Sequence, residues 1–142
     1  MTIKQLSVFV ENRRGKMTEI IQALSSSGID IRALTLADTS EFGLLRLIVS
    51  DPDAAFNTLR QAGMMVRLSD VVAVGVADKP GHFSNAIRLI AEEGIDLEYL
   101  YVLASRIDGE AVILMRLDQP GEGIRALKNA GYKILKSEEI CF

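Results

Sequence analysis

The chain contains two stretches, ENRRGKMTEIIQALSSSGIDI (residues 11–31) and ADKPGHFSNAIRLIAEEGIDL (residues 77–97), that align without a gap. Gly15 aligns with Gly81 and Gly28 with Gly94, so the offset is 66 positions in both pairs. Solenoid repeats have periods of only about 20–50 residues. The longer period here indicates the duplication of a whole small domain.

Each stretch predicts a helix between two strands, the first of which is the β-rich run at 6–10 or at 71–76. Gly15 or Gly81 opens the helix, and Gly28 or Gly94 ends it, because glycine allows the left-handed turn that releases the chain. Apolar residues recur in both helices at the spacing i, i+3, i+4, i+7, which gives each helix one buried stripe. These residues are Met17, Ile20, Ile21 and Leu24 in the first helix and Phe83, Ala86, Ile87 and Ile90 in the second.

The remainder of each copy predicts two strands, a helix and a closing strand. The strand pairs are expected at 32–37 and 44–49, around a turn at 38–43, and at 97–105 and 110–117, around a turn at 106–109. Ser50-Asp-Pro-Asp53 and Asp118-Gln-Pro-Gly121 carry helix-start residues. Closing strands follow at 64–68 and 132–136, where the offset between the copies is 68 because the second copy is two residues longer before its second helix. The chain therefore divides into repeats 1–68 and 69–142, each with the order βαββαβ.

This order predicts an α+β fold of two ferredoxin-like repeats. Right-handed crossovers place both helices on one face of an antiparallel sheet, with the first and third strands central and the second at an edge. We expect Leu100, Val102, Val112 and Leu114 to share a face, and the opposite face is apolar as well. Either some aliphatics are half-exposed, or the second face packs on a sheet of the other repeat or of a homodimer. Edge-to-edge pairing would give one eight-stranded sheet.

The composition argues against several functions. The net charge is −3 without a basic block, which disfavours nucleic acid and anionic membranes as partners. One cysteine, no apparent signal peptide and no membrane-length apolar run indicate a cytoplasmic protein. His82 and Cys141 are the only histidine and cysteine, and no metal-ligand spacing, phosphate loop or nucleophile elbow is visible. We therefore expect no enzymatic activity, no metal and no cofactor.

The loops that precede the first helix of each copy are candidate binding sites. Free N–H groups at a helix N-terminus attract a carboxylate, and Asn12 or Asp78, three residues before the glycine, offers an acceptor for an ammonium group. Together these two groups describe a free amino acid. The alternative is that Asn12 and Asp78 are ordinary turn residues and that Gly15 and Gly81 only permit tight turns.

The repeated loop and the Gly-Ile-Asp-Ile/Leu segments resemble the ACT domain, a small regulatory module that binds amino acids. The resemblance covers residues 3–68 and 70–137. Asp78-Lys-Pro-Gly-His-Phe83 is similar to the family's Asx-x-Pro-Gly-x-Leu/Phe loop, whereas Asn12-Arg-Arg-Gly-Lys-Met17 has Arg14 in place of the proline.

The resemblance implies that ACT units pair through the edges of their second strands and bind effectors at the seam between them. It assigns the ligand to Asn12, Arg13, Arg14, Gly15, Lys16 and Met17 in the first loop and to Asp78, Lys79, Gly81, His82 and Phe83 in the second. Seam candidates at the starts of the second strands are Ile29, Asp30, Ile31, Ile95, Asp96 and Leu97.

Several of these side chains have plainer explanations. His82 could touch the ligand's side chain or simply lie exposed at a helix start. Arg13 and Arg14 could hold a carboxylate or be solvated loop charges. Met17 and Phe83 have the spacing of core residues but could also floor a pocket. Tyr99 and Tyr101 could line the seam or pack on the sheet.

The resulting hypothesis is a stand-alone regulatory protein that binds an amino acid between its repeats and acts in trans on a partner. We also expect a homodimer. The alternative is an accessory subunit of an enzyme of amino-acid biosynthesis, with a role mainly in assembly. An RNA-binding role is disfavoured, because the basic field and the exposed aromatic pair on central strands are missing.

Overall fold

A computed structural model describes residues 1–38 and 41–141, with the side chain of Asp38 excepted. The described chain forms two compact units. The first repeat comprises Lys4–Ser69, together with Cys141, and the second comprises Asp70–Ile140, together with Met1–Ile3. The tip of the predicted 38–43 turn, Thr39 and Ser40, lies outside the described residues.

The first repeat has the predicted order of elements. Its elements are β1 (Ile3–Glu11), α1 (Lys16–Ser26), β2 (Ile31–Asp38), β3 (Phe42–Val49), α2 (Pro52–Gln61) and the beginning of β4 (Val66–Val76). Its strands lie side by side in the order β2-β3-β1-β4, and β1 and β2 are both antiparallel to β3. The first and third strands are central and the second is at an edge, as predicted.

The second repeat has the same topology. It continues from β4 through α3 (His82–Glu92), β5 (Leu97–Val102), β6 (Ala111–Leu117), α4 (Pro120–Asn129), β7 (Lys133–Ile134) and the short α5 (Ser137–Ile140). Its strands lie in the order β7-β4-β6-β5. The sequence did not predict α5. The predicted turn at 106–109 is present: Asp108 and Gly109 both have positive φ, 52° and 79°, as a tight hairpin turn requires.

The number of strands differs from the prediction. The closing strand of the first repeat and the opening strand of the second, predicted as separate at 64–68 and 71–76, form the single strand β4. Seven strands are therefore present in the described part of the chain, and not eight. The reason is local, because the residues between the two predicted strands, Ser69 and Asp70, include neither glycine nor proline to interrupt an extended backbone.

Sequence features fix the ends of the helices. Gly28 and Gly94 follow α1 and α3 with φ of 72° in both cases, a left-handed conformation that glycine adopts without a Cβ clash. At the start of α2, Asp51 Oδ1 accepts a hydrogen bond from the N–H of Ala54 at 3.1 Å. The corresponding residue before α4, Gln119, makes no such side-chain bond.

Each repeat has its own hydrophobic core between the helices and one face of the sheet. In the first repeat, Ile20, Leu24 and Leu59 from the helices pack with alternate strand residues such as Leu6 and Val8. In the second repeat the core contains Ala86, Ile90 and Leu127 together with alternate residues of β4 and β6. Phe83, predicted in the helical stripe, is an exception, since it is 45% exposed.

The register between β5 and β6 corrects the predicted faces. Leu100 lies opposite Met115 and Val102 opposite Ile113, so these four residues share the face that the helices cover. Val112 and Leu114 are on the other face with Tyr101, and not with Leu100 and Val102 as predicted. Both faces of β6 are apolar, so residue type alone could not select the register. Val112, Leu114 and Tyr101 are buried, so the second face is not open to solvent.

Candidate functional site

The two candidate loops have the same backbone conformation. In the first repeat, the N–H of Arg13 donates to the Glu11 carbonyl at 2.7 Å and that of Lys16 to the Arg13 carbonyl at 3.1 Å. In the second repeat, the N–H of Lys79 donates to the Ala77 carbonyl at 2.8 Å and that of His82 to the Lys79 carbonyl at 3.2 Å. The loop is thus built identically with and without the proline of the family motif.

Each loop presents the first turn of a helix. Gly15 and Gly81 have φ of 84° and 89° and directly precede α1 and α3. An ideal Cβ built at either glycine would find no heavy atom within 4 Å beyond the chain neighbours, so the space beside the helix start is open. The N–H groups in a first helical turn have no acceptor inside the helix. In α1 these include Met17 and Thr18, and in α3 Phe83 and Ser84.

Two cations of the first loop, Arg13 and Lys16, are already paired with a carboxylate. Arg13 Nη1 lies 3.3 Å from Glu19 Oε1, and Lys16 Nζ lies 3.5 Å from Glu19 Oε2. The hydrogen bond from Arg13 lowers the pKa of the Glu19 carboxyl, and the charges of Arg13 and Lys16 act in the same direction. A ligand carboxylate that binds Arg13 or Lys16 must therefore compete with Glu19.

In the second loop, the residue predicted to bind the ligand's ammonium group is an acid, Asp78, and it is also paired already. Asp78 Oδ2 lies 2.7 Å from Arg106 Nη2, so a guanidinium occupies the position where a ligand ammonium was predicted to bind. Arg106 Nη1 also donates to the Gly109 carbonyl at 3.4 Å. The hairpin between β5 and β6 is thereby tied to the loop before α3.

The remaining loop residues differ in how far they are accessible. The structure leaves Asn12, Arg14, Gly15, Lys79, Gly81 and Phe83 exposed, and Lys16, Met17 and His82 partly buried. Met17 packs against the core of the first repeat, whereas the equivalent Phe83 lies outside the core of the second. Phe83 therefore supplies an apolar surface beside the helix start that Met17 does not.

The starts of the second strands are fixed by a repeated pair of hydrogen bonds. The N–H of Asp30 donates to Ser50 Oγ at 3.0 Å, and the N–H of Asp96 donates to Asp118 Oδ1 at 2.9 Å. In return, the N–H of Ser50 or Asp118 donates to the carbonyl of Asp30 or Asp96. These contacts give both aspartates a structural role.

The other seam candidates lie mostly inside their own repeats. Ile29 and Ile95 are buried and belong to the hydrophobic cores. Ile31 and Leu97 are partly buried and pack against the same cores. Of the two tyrosines considered for the seam, Tyr101 is buried and Tyr99 is partly buried. Their participation in ligand binding stays a prediction.

A cleft lies beside the helix start in each repeat, away from the second-strand edge. The first-repeat cleft, of about 170 Å³, is lined by Phe9, Val10, Glu11, Lys16, Phe42, Gly63, Met64 and Met65. The second-repeat cleft, of about 280 Å³, is lined by Gly75, Ala77, His82, Asn85, Glu110, Ala130, Gly131, Tyr132 and Lys133. Most of these residues correspond between the copies, so the cleft is part of the repeated fold.

Two polar residues in this region were missed at the level of sequence. Tyr132 donates its hydroxyl hydrogen bond to the His82 carbonyl at 3.1 Å, which joins the start of β7 to the start of α3. Glu110 carries its carboxylate over Gly75. The signal that could have found them is the comparison of the copies, because Met64 and Phe42 occupy the corresponding positions in the first repeat.

No helix in residues 1–38 and 41–141 is long and apolar enough to cross a membrane. Within the same ranges, no group of three or more histidine, cysteine, aspartate or glutamate residues is placed to hold a metal ion.

The repeated βαββαβ unit and its matching loops define a tandem α+β module. The family described as "ACT domain pair" matches residues 1–140, and the chain therefore belongs to the ACT domain pair family, whose domains are regulatory modules. Comparison with the curated proteins finds no match.

Solved structures show the same fold. Protein BT0572 from Bacteroides thetaiotaomicron is 33% identical, with a TM-score of 0.93, over 99% of this chain and 96% of that one. The regulatory subunit of aspartate kinase from Thermus thermophilus is 17% identical, with a TM-score of 0.66, over 90% and 92% of the two chains. The corresponding subunit from Thermus flavus is 18% identical, with a TM-score of 0.63, over 89% and 91%.

Proposed function

We propose that this protein binds a free amino acid and that binding regulates a separate protein. The observation that carries the proposal is the loop before α1 and α3, which is built twice with the same hydrogen bonds in a family of regulatory modules. In each copy the loop delivers an open helix start, where N–H groups and the helix dipole favour a carboxylate.

The two loops support different ligand contacts. In the first, the cations Arg13 and Lys16 lie beside the helix start, and Glu19 partly neutralises them. In the second, Phe83 offers an exposed ring, and the charge of Asp78 is directed at Arg106. Since the backbone donors are common to both and the side chains are not, we expect the two loops to differ in affinity.

The regulated partner belongs to the same proposal. Two of the similar structures are regulatory subunits of aspartate kinase, which suggests an enzyme of amino-acid metabolism as the partner of this chain. Regulation requires that the ligand bind one conformation or assembly better than another, typically by about 1–3 kcal/mol. The single cysteine in 142 residues favours the cytoplasm as the place of action.

A homodimer is part of the proposal, and the edge strands support it. Leu34 and Leu36 on β2 are 49% and 48% exposed, and Val102 on β5 is 50% exposed. Within its own repeat, each of these strands has a neighbour along one side only. An edge strand with exposed aliphatic side chains is a template for pairing with another chain, so a second copy is a suitable partner.

Thermal unfolding in the presence of each of the twenty amino acids at millimolar concentration tests ligand binding. A specific ligand at about 100 times its dissociation constant adds roughly 2.7 kcal/mol to the stability of the folded state. In a chain of this size that raises the unfolding midpoint by several degrees. No shift with any amino acid would contradict the proposal.

Proline variants identify the loop that is occupied. Thr18→Pro and Ser84→Pro each remove one backbone N–H that has no acceptor within its helix, because both residues lie in the first helical turn. Thr18→Ala and Ser84→Ala keep the N–H and serve as matched controls. We expect the proline variant of the occupied loop to lose the ligand-induced shift while its alanine control keeps it. Equal shifts in all four variants would exclude the helix starts as the site.

An assembly role as an accessory subunit is the second candidate function. The similarity to regulatory subunits over about nine-tenths of the chain favours it. It predicts stable co-purification with a large enzyme subunit in the absence of any added amino acid. If the chain instead associates only when an amino acid is present, the ligand-dependent function is favoured.

A further inference from the structure

The second-repeat cleft differs in chemistry from its duplicate in the first repeat. Phe9 and Phe42, whose ring centroids are 5.7 Å apart, lie together in the first-repeat cleft. The sequence offsets place Gly75 at the position of Phe9 and Glu110 at that of Phe42. Two aromatic rings are therefore replaced by a glycine and a carboxylate, and the cleft enlarges from about 170 to about 280 Å³.

Gly75 is needed for the position of the Glu110 carboxylate. A Cβ atom at Gly75 would lie 2.5 Å from Glu110 Oε2, which is closer than any carbon and oxygen can approach without bonding. Glycine in the interior of a strand weakens it and commonly marks a place where another group comes close. Here the group that comes close is a carboxylate at the wall of a cleft.

The Glu110 carboxylate is an unpaired charge in the described part of the chain. Glu110 is partly buried, and no hydrogen bond or ion pair engages its side chain there. The carboxylate lies at the wall of the cleft, where it can pair with the ammonium group of a ligand. In the first repeat the equivalent Phe42 offers no charge.

The other charged residue of the cleft does not neutralise Glu110. Lys133 Nζ lies 2.8 Å from Asp108 Oδ2 and 3.3 Å from Glu139 Oε1. The hydrogen bonds that Lys133 donates to these two carboxylates, to Asp108 first, raise the pKa of Lys133. Two other carboxylates thus already pair with this ammonium group, and the charge of Glu110 is left without a counterion in the cleft.

Polar groups complete the wall on the side of α3. His82 and Asn85 belong to the first turn of α3, and the Asn85 Oδ1 atom accepts a hydrogen bond from Arg88 Nη2 at 3.1 Å. Ala130 and Gly131, at the C-terminal end of α4, contribute the negative end of a helix dipole. This end of α4 attracts cations as Glu110 does, whereas the N-terminal end of α3 in the same wall carries the opposite partial charge.

We propose that the second-repeat cleft binds the primary ammonium group of a small molecule, with the Glu110 carboxylate as its counterion. The cleft lies next to β7 and β4, whereas the predicted seam residues Asp96 and Leu97 lie at the β5 edge of the same repeat. The cleft is adjacent to the loop before α3 and shares His82 with it, but its counterion is Glu110 and not a helix-start N–H group. The two proposals therefore differ in the groups that hold the ligand.

His82 provides a selective probe, because it is the only histidine in the chain. Its imidazole C–H signals can be followed by proton NMR while propylammonium chloride, 1-propanol or L-alanine is added at constant ionic strength. We expect a saturable shift with propylammonium and none with 1-propanol, which has the same chain but no charge. A saturable shift with L-alanine that disappears in Glu110→Gln would identify amino acids as a source of the ammonium group. An L-alanine shift that Glu110→Gln retains would come from the loop before α3, and no L-alanine shift would leave simple amines.

Two variants that each replace one glutamate by glutamine test the role of Glu110. Glu110→Gln keeps the size of the side chain and removes the charge, so binding of propylammonium should weaken by about tenfold or more. Glu122→Gln makes the same change at an exposed residue of α4 paired with Arg125 and should leave the affinity unchanged. Undiminished affinity in Glu110→Gln, or an equal shift with 1-propanol, would overturn the proposal.

A second variant copies the first-repeat cleft into the second. Gly75→Phe combined with Glu110→Phe introduces the two rings that the fold already accommodates at Phe9 and Phe42. Propylammonium should then no longer shift the His82 signals, and retention of the shift would place the ligand elsewhere. Amino-acid stabilisation that persists in this variant would leave the proposal for the loops intact, so that the two can fail separately.

Discussion

Gly75→Ala and Gly123→Ala should change stability in opposite directions, although an added Cβ meets a close neighbour at both positions. At Gly75 the neighbour is Glu110 Oε2, the end of a flexible side chain. At Gly123, in α4, it is Leu117 Cδ1, which belongs to the core of the second repeat. The difference is whether the neighbour can move.

The magnitudes follow from this difference. Alanine in a strand interior is favoured over glycine by roughly 0.5–1 kcal/mol, and the Glu110 carboxylate can swing towards solvent. Gly75→Ala should therefore raise the free energy of unfolding by about 0.5 kcal/mol. In α4, alanine gains about 1 kcal/mol of helix propensity but overpacks the core, which typically costs about 1–3 kcal/mol. The net effect of Gly123→Ala is a loss of about 1 kcal/mol.

Thermal and urea unfolding of the two variants measure the effect. For a chain of this length about 1 kcal/mol corresponds to roughly 3 °C, so Gly75→Ala should unfold about 1–2 °C higher and Gly123→Ala about 3 °C lower than the parent. If Gly75→Ala unfolds several degrees lower, the Glu110 carboxylate cannot move away from the added methyl group, and the prediction is wrong. The reasoning would also be refuted if Gly123→Ala were the more stable variant.

Three further predictions concern a cap, an edge strand and a charge cluster. Asp51→Ala removes the side-chain cap of α2 and should cost about 1 kcal/mol in urea unfolding, whereas Gln119→Ala, at the uncapped equivalent, should cost little. Leu36→Glu places a charge on the exposed edge strand β2 and should convert the proposed homodimer to monomers in light scattering, and an unchanged mass would exclude β2 as the interface. The hydrogen bond and charge of Lys133 lower the pKa of the Asp108 carboxyl, so the pair contributes stability above the ordinary carboxyl pKa that is lost as pH falls through the lowered pKa. Lys133→Met should accordingly flatten the loss of stability below about pH 4, and an unaltered pH dependence would show that the pair contributes nothing.

The repeated glycines made much of the fold predictable. Gly15 and Gly81, in register with Gly28 and Gly94, locate two helices, and the hydrophobic spacing locates their buried stripes. These features act over a few residues, where backbone conformation and local periodicity decide the structure. The strand order then follows from the handedness of the crossovers.

Features that depend on contact between distant residues were not predictable in this way. The register of Leu100 against Met115 required a choice between two apolar faces, and a shift between Leu97 and Tyr99 changes the phase of the strand. The partner of Asp78 is Arg106, which lies in the hairpin between β5 and β6. No sequence pattern indicates that these two residues pair. The loops were therefore located by sequence, but the charges that act on them were not.

The continuity of β4 has a consequence for how this chain can vary. The junction between the two copies, Ser69 and Asp70, lies within the strand. The duplicated halves are therefore not joined by a flexible linker that could vary in length. Because side chains alternate between the faces of a sheet, one inserted residue at the junction would turn Val72, Val74 and Val76 out of their core. Natural variation in length should therefore concentrate in the hairpins, and the distance along the chain between the two copies should stay constant.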